Sequence, residues 1–316
     1  MTHIAVTLGD PRGIGPEIVA KALADARVRA ARDGDAPVTW VVVGAAGTEV
    51  PADVAVGAWA PSGDAARDVP LAGRLAGLAV KRATALAMTG EVAAIVTAPL
   101  DKAALFAGGF DYPGHTEMLA ALTGAPTTMM LASDRLRVVL ATTHLALRDV
   151  PAAVTSEAIV QAAIRTREGL QQGFGIASPR IALCAMNPHA GDHGRFGDED
   201  DRVLAPAARA AGIAGPFPAD TVFVRAMRGE FDAVIAPYHD VGMTAIKVAS
   251  FGEAVNVTLG LPFPRTSPDH GTAIDIAGQG IASAESLIAA MLLAVRLVQA
   301  QRHNRTTLAP GKLAVN

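Results

Sequence analysis

The sequence is poor in cysteine, and this limits the chemistry that it can support. Its one cysteine among 316 residues, Cys184, has no partner for an intramolecular disulfide. A cysteine-rich zinc site is also excluded, so any bound metal would be held by histidine and carboxylate side chains. Cys184 lies inside an apolar segment and is predicted to be a small residue of the core.

Charge and long apolar runs are scarce as well. Charged residues make up 18% of the chain, the net charge is −3, and no Lys/Arg-rich run stands out, which argues against a nucleic-acid or membrane-surface partner. We see no apolar run of membrane-spanning length and no basic-then-apolar leader, so we expect a cytoplasmic protein. The hydrophobic share of 51% argues against a disordered chain. The length allows two α/β domains or one large one.

Strand and helix patterns alternate along the chain, which is typical of parallel α/β architecture. The predicted strands are His3–Leu8, Val38–Val43 and Ala93–Val96, and the predicted helices are Pro16–Ala24, Leu71–Met88, Ala152–Gln172 and Ser283–Gln299. Pro16 suits the first position of its helix, Thr155 or Ser156 is a candidate cap, and Ser283 caps the C-terminal helix. The Gly/Ala/Pro-rich stretch from Gly44 to Pro70 is predicted to carry surface loops.

Three further apolar segments each end on a histidine, and this recurrence is the most informative feature. The segments are Arg137–His144, Arg180–His189 and Phe231–His239, and each is predicted to be a buried strand. Ligands of open α/β sheets bind beyond the carboxyl ends of the strands, so three imidazoles there could hold one divalent metal. Each histidine alone is better explained as a strand cap or a loop hydrogen bond. The three together favour a metal site.

The turn Gly9–Gly15 follows the first strand but does not match a Rossmann dinucleotide site. That site needs G-x-G-x-x-G, whereas Gly13 and Gly15 are followed by Pro, Glu and Ile. Two interpretations remain open: a tight turn that opens a helix, or a backbone segment that shapes a ligand cleft. Any nicotinamide cofactor would bind in another manner.

A second polar cluster contains Lys247, Asn256 and Arg265. The lysine supplies a point charge, the asparagine a neutral donor and the arginine a fork of two N–H donors. This combination suits a phosphate group. Each residue alone is more often a surface or capping residue. Beside a metal site, a phosphorylated substrate is the better explanation.

A series of ordered segments carries a resemblance to a known family. The segments are Gly9–Glu17, Tyr112–Glu117, Ala141–Asp149, Asn187–Gly191, Gly215–Thr221, Tyr238–Asp240, Val255–Ser267 and Asp269–Ala273. With them the chain resembles, over nearly all of its length, the 4-hydroxythreonine-4-phosphate dehydrogenases of vitamin B6 biosynthesis.

The resemblance implies a fold similar to that of isocitrate and isopropylmalate dehydrogenases. Two α/β/α domains with mostly parallel sheets would enclose a cleft. Residues 1–126 with 272–316 would form the first domain, and residues 127–271 would form the metal- and phosphate-binding domain. A homodimer with its active site at the subunit interface is also implied, so the three histidines need not come from one chain.

Individual roles follow from the same resemblance. The metal ligands would be His144, His189 and His239, the ligands of the substrate's amino-acid portion His115 and Thr116, and the phosphate ligands Lys247, Asn256 and Arg265. The segment His270–Gly278 looks like the nicotinamide-cofactor segment, in which His270, Gly271, Thr272 and Asp275 would bind the cofactor. An acidic Asp275 beside the ribose favours NAD over NADP, because it would repel a 2′-phosphate.

The implied reaction oxidises the C3 hydroxyl of 4-phosphohydroxy-L-threonine with NAD and requires one divalent metal. Decarboxylation of the oxidised product then gives 3-amino-2-oxopropyl phosphate. Zinc, manganese, cobalt and magnesium all remain candidates for the metal. Asp220 and Asp240 are candidates for accepting the proton or for orienting a metal-bound histidine. A loop cap or a helix cap explains each of these two residues equally well.

Three features depart from the family pattern and leave the exact substrate open. Val241 precedes Gly242 where Gln is usual, Arg12 stands where Ala is common, and Asp198–Asp201 forms an acidic patch. The alternatives are a dehydrogenase of threonate or erythronate 4-phosphate, or of an aromatic cis-dihydrodiol dicarboxylate, and the predicted phosphate ligands favour the phosphorylated substrates. An alternative from another functional class is a non-catalytic protein that binds a metal or a phosphorylated ligand. The intact histidines and the intact His270–Gly278 segment argue against it.

Overall fold

The computed structural model describes residues 1–33, 37–250 and 253–308, without the side chains of 305–308. Within these ranges, eleven strands form one sheet. The strands are β1 (Thr2–Thr7), β2 (Val38–Ala46), β3 (Val54–Ala58), β4 (Ala94–Thr97), β5 (Thr128–Ala132), β6 (Arg137–Leu140), β7 (Ile181–Cys184), β8 (Ala214–Phe217), β9 (Ala233–Ala236), β10 (Val255–Leu259) and β11 (Arg265–Ser267). The helices are α1 (Gly15–Ala24), α2 (Ala26–Asp33), α3 (Ala65–Met88), α4 (Lys102–Ala107), α5 (His115–Thr123), α6 (Val150–Ala153), α7 (Ser156–Phe174), α8 (Ala205–Ala211), α9 (Ala219–Met227), α10 (His239–Ser250) and α11 (Glu285–Leu308).

The strand order is β3-β2-β1-β4-β11-β10-β5-β6-β9-β7-β8. The first five strands in this order are parallel neighbours, and so are the last four. Between the two groups, β10 runs antiparallel to β11 and β5, and β5 runs antiparallel to β6. The prediction of an α/β fold with a mostly parallel sheet is confirmed, and the two parallel groups run in opposite directions.

The central strands join the two halves of the chain into one hydrogen-bonded sheet. Strand β11 pairs with β4 on one side and with β10 on the other. The predicted division places β4 in one domain (residues 1–126 with 272–316) and β11 in the other (residues 127–271). This division stays a prediction. No helix within the described residues is long and apolar enough to cross a membrane.

The predicted surface loops between Gly44 and Pro70 are wrong for much of that stretch. It contains β3, an edge strand whose pairing with β2 shifts in register, and the start of α3. Helix α3 begins before the predicted Leu71, because the Asp64 carboxylate accepts a hydrogen bond from the backbone N–H of Ala66. The Gly- and Ala-rich composition hid both elements, since small residues give a weak periodic signal.

The helix ends show which predicted caps are correct. Pro16 lies in the first turn of α1, as predicted. The Thr155 hydroxyl accepts from the N–H of Ala158, so α7 begins at Ser156 and the residues before it form the separate short helix α6. The Ser283 hydroxyl accepts weakly from the N–H of Glu285, where α11 begins.

The core is built from strands that are buried on both faces, as in β4, β7 and β9. Cys184 is fully buried in β7, which confirms its predicted place in the core. Burial raises the pKa of its thiol to about 12, so the side chain is uncharged at neutral pH.

Candidate functional site

A cavity of about 310 Å³ lies over one face of the sheet, where the strand direction reverses. Its floor consists of alternate residues of four adjacent strands, because side chains two positions apart point to the same face. These floor residues are Thr97, Met129, Leu131, Asn256, Arg265 and Ser267. The walls come from the start of α4, the start of α5, the loop after β6, the start of α10 and the loop after β11.

Most of the predicted site residues line this cavity. Those that do are His115, Thr116, His144, His239, Asn256, Arg265, His270 and Gly271. Those outside its lining are His189, Asp220, Asp240, Lys247, Thr272 and Asp275. The cavity thus brings together residues that the sequence separates by up to 156 positions (271 − 115).

The three histidine segments form neighbouring parallel strands, which confirms that they deliver their ends to one edge of the sheet. Each strand ends before its histidine: β6 ends at Leu140, β9 at Ala236 and β7 at Cys184. Since β9 lies between β6 and β7, the outer two strands are about 9–10 Å apart. The strand order therefore places the residues after β9 next to those after β6 and next to those after β7.

His144 and His239 form a pair, with ring centroids 5.4 Å apart. The Nδ1 atom of His239 lies 2.7 Å from a carboxylate oxygen of Asp240. A proton held on Nδ1 by this contact leaves Nε2 free to bind a metal. Burial lowers the pKa of His144, as do the nearby charges of Lys102 and His239, so the neutral, metal-binding form is favoured.

His189 lies on an exposed turn after β7. The backbone is left-handed at His189 (φ 53°), Ala190 (54°), Asp192 (45°) and His193 (57°), a conformation that L-residues rarely adopt. Among the residues that the structure describes, no group of three His, Cys, Asp or Glu side chains could hold a metal ion. One chain thus brings two of the three predicted ligands together, and their role as metal ligands stays a prediction.

The acidic patch predicted near the cleft has a structural role at Asp200. This side chain is 1% exposed, and its carboxylate accepts from the N–H groups of Met186 and Asn187 at 2.8 and 3.0 Å. Glu199 accepts from the Asn187 side chain. These bonds fix the backbone that leads into the His189 turn.

Arg265 is a buried cation without a counter-ion. It is 1% exposed, and its guanidinium donates to the hydroxyls of Thr97 and Thr258. Within the described part of the chain, no carboxylate forms an ion pair with Arg265, and its Nε has no hydrogen-bond partner. Burial lowers its pKa to about 9, so the charge remains at neutral pH. An unpaired buried charge is unfavourable, so this arrangement is suited to an anionic ligand.

Two other buried polar atoms of the cavity have no hydrogen-bond partner among the described residues, namely Nε2 of His115 and Oδ1 of Asn256. Together with Nε of Arg265 they supply donors and an acceptor for a polar ligand. Lys247 is half-exposed and forms an ion pair of 3.0 Å with Asp269, whose side chain lines the cavity. The phosphate contact predicted for Lys247 would therefore need that ion pair to open.

The predicted cofactor segment packs against the Gly9–Gly15 turn. The N–H of Ile14 donates to the carbonyl of Thr272 at 2.9 Å, and a Cβ at Gly13 would lie 2.7 Å from the same oxygen. The turn leads directly into α1, as the interpretation of a tight turn that opens a helix predicts, and none of its residues lines the cavity. The interpretation as part of a ligand cleft stays a prediction. Asp275 is exposed on a short 3₁₀ turn, where its carboxylate is accessible.

None of the departures from the family pattern lines the cavity. Val241 packs against a buried apolar cluster, and a Cβ at Gly242 would lie 2.7 Å from the Leu140 side chain, so glycine lets α10 approach β6. Arg12 forms an ion pair with the fully buried Asp10. Asp220 is exposed in the first turn of α9, so no observed contact supports a role in proton transfer.

The sequence model of the family described as pyridoxal phosphate biosynthetic protein PdxA matches residues 17–294. The chain belongs to the PdxA family. It is 42% identical to 4-hydroxythreonine-4-phosphate dehydrogenase of Desulfosudis oleivorans, with 92% of this chain and 95% of the relative covered. It is 43% identical to D-threonate 4-phosphate dehydrogenase of Salmonella typhimurium, with 93% and 98% covered.

Solved structures agree with this membership. 4-Hydroxythreonine-4-phosphate dehydrogenase from Klebsiella pneumoniae superposes with a TM-score of 0.79 at 40% identity, covering 94% of this chain and 98% of the other. Isocitrate dehydrogenase from Methylococcus capsulatus has a TM-score of 0.51 at 18% identity, covering 97% and 89%, which shows the fold alone. The predicted family and the predicted fold are confirmed, and this PdxA-family chain is a dehydrogenase.

Sequence reasoning missed three charged residues of this PdxA-family cavity: Lys102, Glu117 and Asp269. Lys102 follows the predicted strand Ala93–Val96 by six positions, so the general rule for strand ends could have found it. Glu117 and Asp269 lie inside segments that carried the family resemblance.

His115 makes protein stability depend on pH. Burial lowers its pKa well below the ordinary value, and the charges of Arg265 and Lys102 lower it further. The unfolded chain, with an ordinary pKa of about 6.5, therefore binds more protons between the two values, and stability falls as the pH drops below about 6.5. This one group contributes a slope of at most about 1.4 kcal/mol per pH unit.

We expect His115→Gln to flatten the dependence of the unfolding free energy on pH between about 5 and 6.5, as measured by urea titration. His3→Gln is the control, because it removes an exposed imidazole on β1. Equal slopes for the wild type and His115→Gln would contradict the assignment.

Proposed function

We propose that this PdxA-family dehydrogenase oxidises the C3 hydroxyl of 4-phosphohydroxy-L-threonine with NAD in the presence of a divalent metal. The oxidised product is a β-keto acid, which loses carbon dioxide to give 3-amino-2-oxopropyl phosphate. The observation that carries this proposal is the buried, unpaired Arg265 in the same cavity as the His144–His239 pair. The family membership supplies the reaction class.

Arg265 and Asn256 would bind the phosphate of the substrate. The guanidinium has five N–H donors, and the two threonine hydroxyls occupy two of them. Nε–H and the remaining Nη hydrogens can form a side-on fork to two phosphate oxygens. Because Arg265 is buried, this contact would be stronger than the same contact in water.

His144 and His239 would hold the divalent metal, and Asp240 would keep His239 in the tautomer that binds it. His270, Gly271, Thr272 and Asp275 would bind NAD beside the Gly9–Gly15 turn. When bound, the metal supplies Lewis acidity toward the C3 hydroxyl and NAD supplies the hydride acceptor. His115 is neutral at physiological pH, so it can donate or accept a hydrogen bond at the substrate without adding charge.

The third predicted ligand, His189, would come from a second copy of the chain in a homodimer. Its turn is exposed and also carries Phe196, whose ring is 6.3 Å from the His189 ring and is 44% exposed. An exposed aromatic beside a predicted metal ligand is suited to an interface between copies. The site would then be complete only in the dimer.

A second substrate is threonate 4-phosphate. The relative from Salmonella typhimurium that carries this name is as similar to the chain as the 4-hydroxythreonine-4-phosphate dehydrogenase from Desulfosudis oleivorans. Erythronate 4-phosphate belongs to the same chemical class. The Arg265 argument applies equally to all three phosphorylated acids.

The test is an assay of NADH formation with each of the three phosphorylated acids, with and without a chelator. We expect the highest kcat/KM for 4-phosphohydroxy-L-threonine, and loss of turnover on chelation. Turnover of a sugar acid alone would favour the second candidate. Absence of NADH formation with all three acids would contradict the proposal.

A further inference from the structure

Two opposite charges flank a glycine at one wall of the cavity. Gly114, the residue before α5, is buried, and a Cβ at this position would lie 3.7 Å from Cε of Lys102 and 3.5 Å from Oε2 of Glu117. No other heavy atom outside its chain neighbours lies within 4 Å of that position. All three residues line the cavity.

Among the described residues these two charges have no direct partner, although the charge of Glu117 raises the pKa of Arg265. Within the described residues, neither Lys102 nor Glu117 forms a side-chain hydrogen bond or an ion pair, although the two side chains lie on the same wall. By contrast, Asp269 is paired with Lys247, and Arg265 is held by two threonine hydroxyls. Glu117 is therefore the unpaired carboxylate of the cavity, and Lys102 is its unpaired ammonium group.

The charges of the cavity match those of a phosphorylated amino acid. Arg265 provides a cation at the floor for the phosphate, and Lys102 provides a separate cation at the wall for a carboxylate. Glu117 adds a negative charge to a site that otherwise receives an anion. A carboxylate here is unfavourable for a purely anionic substrate and favourable for one with an ammonium group.

We propose that Lys102 and Glu117 bind the α-carboxylate and the α-ammonium group of the substrate across Gly114, and that Glu117 selects an amino acid over the matching hydroxy acid. This rests on the proposed function and deepens it. 4-Phosphohydroxythreonine and threonate 4-phosphate differ only at C2, where the first has an ammonium group and the second a hydroxyl. Glu117 forms a charge-assisted hydrogen bond with the ammonium group alone.

The test compares Glu117→Gln with the wild type on both substrates. The glutamine keeps the shape and loses the charge, so kcat/KM for 4-phosphohydroxythreonine should fall about tenfold to hundredfold. The value for threonate 4-phosphate should stay about the same or rise. Lys102→Met should lower both values, because both substrates carry the carboxylate.

Matched controls separate these effects from general effects on helices and charge. Glu157→Gln removes a glutamate from the first turn of α7, outside the cavity, as Glu117→Gln does in α5. Lys81→Met removes an exposed lysine on α3. Neither control should change the ratio of the two kcat/KM values.

Binding of 4-phosphohydroxythreonine without NAD, measured by calorimetry, distinguishes this inference from the proposed function. Weaker binding to Glu117→Gln together with an inactive wild type would retain the inference and overturn the proposed oxidation. Equal losses on both substrates would make Glu117 a counter-charge of Arg265 or a fold residue, and would overturn the inference. An unchanged value for the amino acid, or a wild type that prefers threonate 4-phosphate, would overturn it as well.

Discussion

Replacing His239 or His144 by alanine is expected to reduce bound metal and turnover by orders of magnitude. In the proposed site the two imidazoles bind one ion, so loss of either would remove a direct ligand. That loss should exceed the roughly 10–100-fold effect of removing an outer-shell partner such as Asp240. His144 is exposed on a loop and His239 begins a helix, so both variants should keep the fold.

Metal content per subunit, NADH formation and the urea unfolding midpoint are the three measurements. His3→Ala is the control for removing an exposed imidazole far along the sheet, and it should keep both metal and activity. Normal metal occupancy in His144→Ala and His239→Ala would mean that the two histidines have a structural role and do not bind the metal.

The origin of the third ligand can be tested by mixing variants. His189→Ala should lose metal as the other two do. If the partner supplies His189, a mixed dimer of His189→Ala and His239→Ala subunits contains one complete site, so mixing should restore part of the activity. No recovery on mixing, with mixed dimers confirmed by mass, would contradict the supply of His189 by the partner.

The sequence predicts well that the three histidine segments end at one edge of the sheet, because each strand has a local sequence pattern. Buried parallel strands are short apolar runs, and polar residues after them collect at one edge. The three histidine segments therefore form neighbouring strands as expected. Their order, with β9 in the middle, depends on long-range pairing, and the contact between His144 and His239 depends in addition on the loops that follow the strands.

The reversal at the centre of the sheet has no local signal. It depends on β10 and β5, which are antiparallel strands between two parallel groups. This reversal places Arg265 and Asn256 on the floor of the cavity rather than at a strand edge. Edge strand β3 was missed for a different reason, since Val54–Ala58 is half-exposed and consists of small residues.

Charged residues were the hardest part of the site to assign. Asp200 belongs to the predicted acidic patch Asp198–Asp201, but its carboxylate is buried and accepts two backbone hydrogen bonds. The role proposed for Lys102 and Glu117 depends on their positions on either side of Gly114. The fold sets these positions, and the sequence gives no local signal for them. Charge in a sequence does not reveal whether a group is paired.

Arg265→Lys should lower kcat/KM for phosphorylated substrates by about tenfold to hundredfold, which corresponds to the roughly 1.5–3 kcal/mol of a charge-assisted hydrogen bond. Lysine keeps the charge but loses the planar fork, and it cannot satisfy Thr97 and Thr258 together with a phosphate. A phosphate remote from C3 is bound in the ground state and in the transition state alike, so the main change should be in KM.

The structure also makes Arg265 a link between β4, β10 and β11, so its role in the fold must be separated from phosphate binding. Arg165→Lys is the matched control, because Arg165 donates to the Thr128 hydroxyl at 2.6 Å and does not line the cavity. Arg165→Lys should leave kcat/KM unchanged, and Arg265→Lys should barely affect residual oxidation of a non-phosphorylated analogue, which never used the fork. Comparable losses on phosphorylated and non-phosphorylated substrates would mean that Arg265 supports the sheet, since only a phosphate ligand gives a loss confined to phosphorylated substrates.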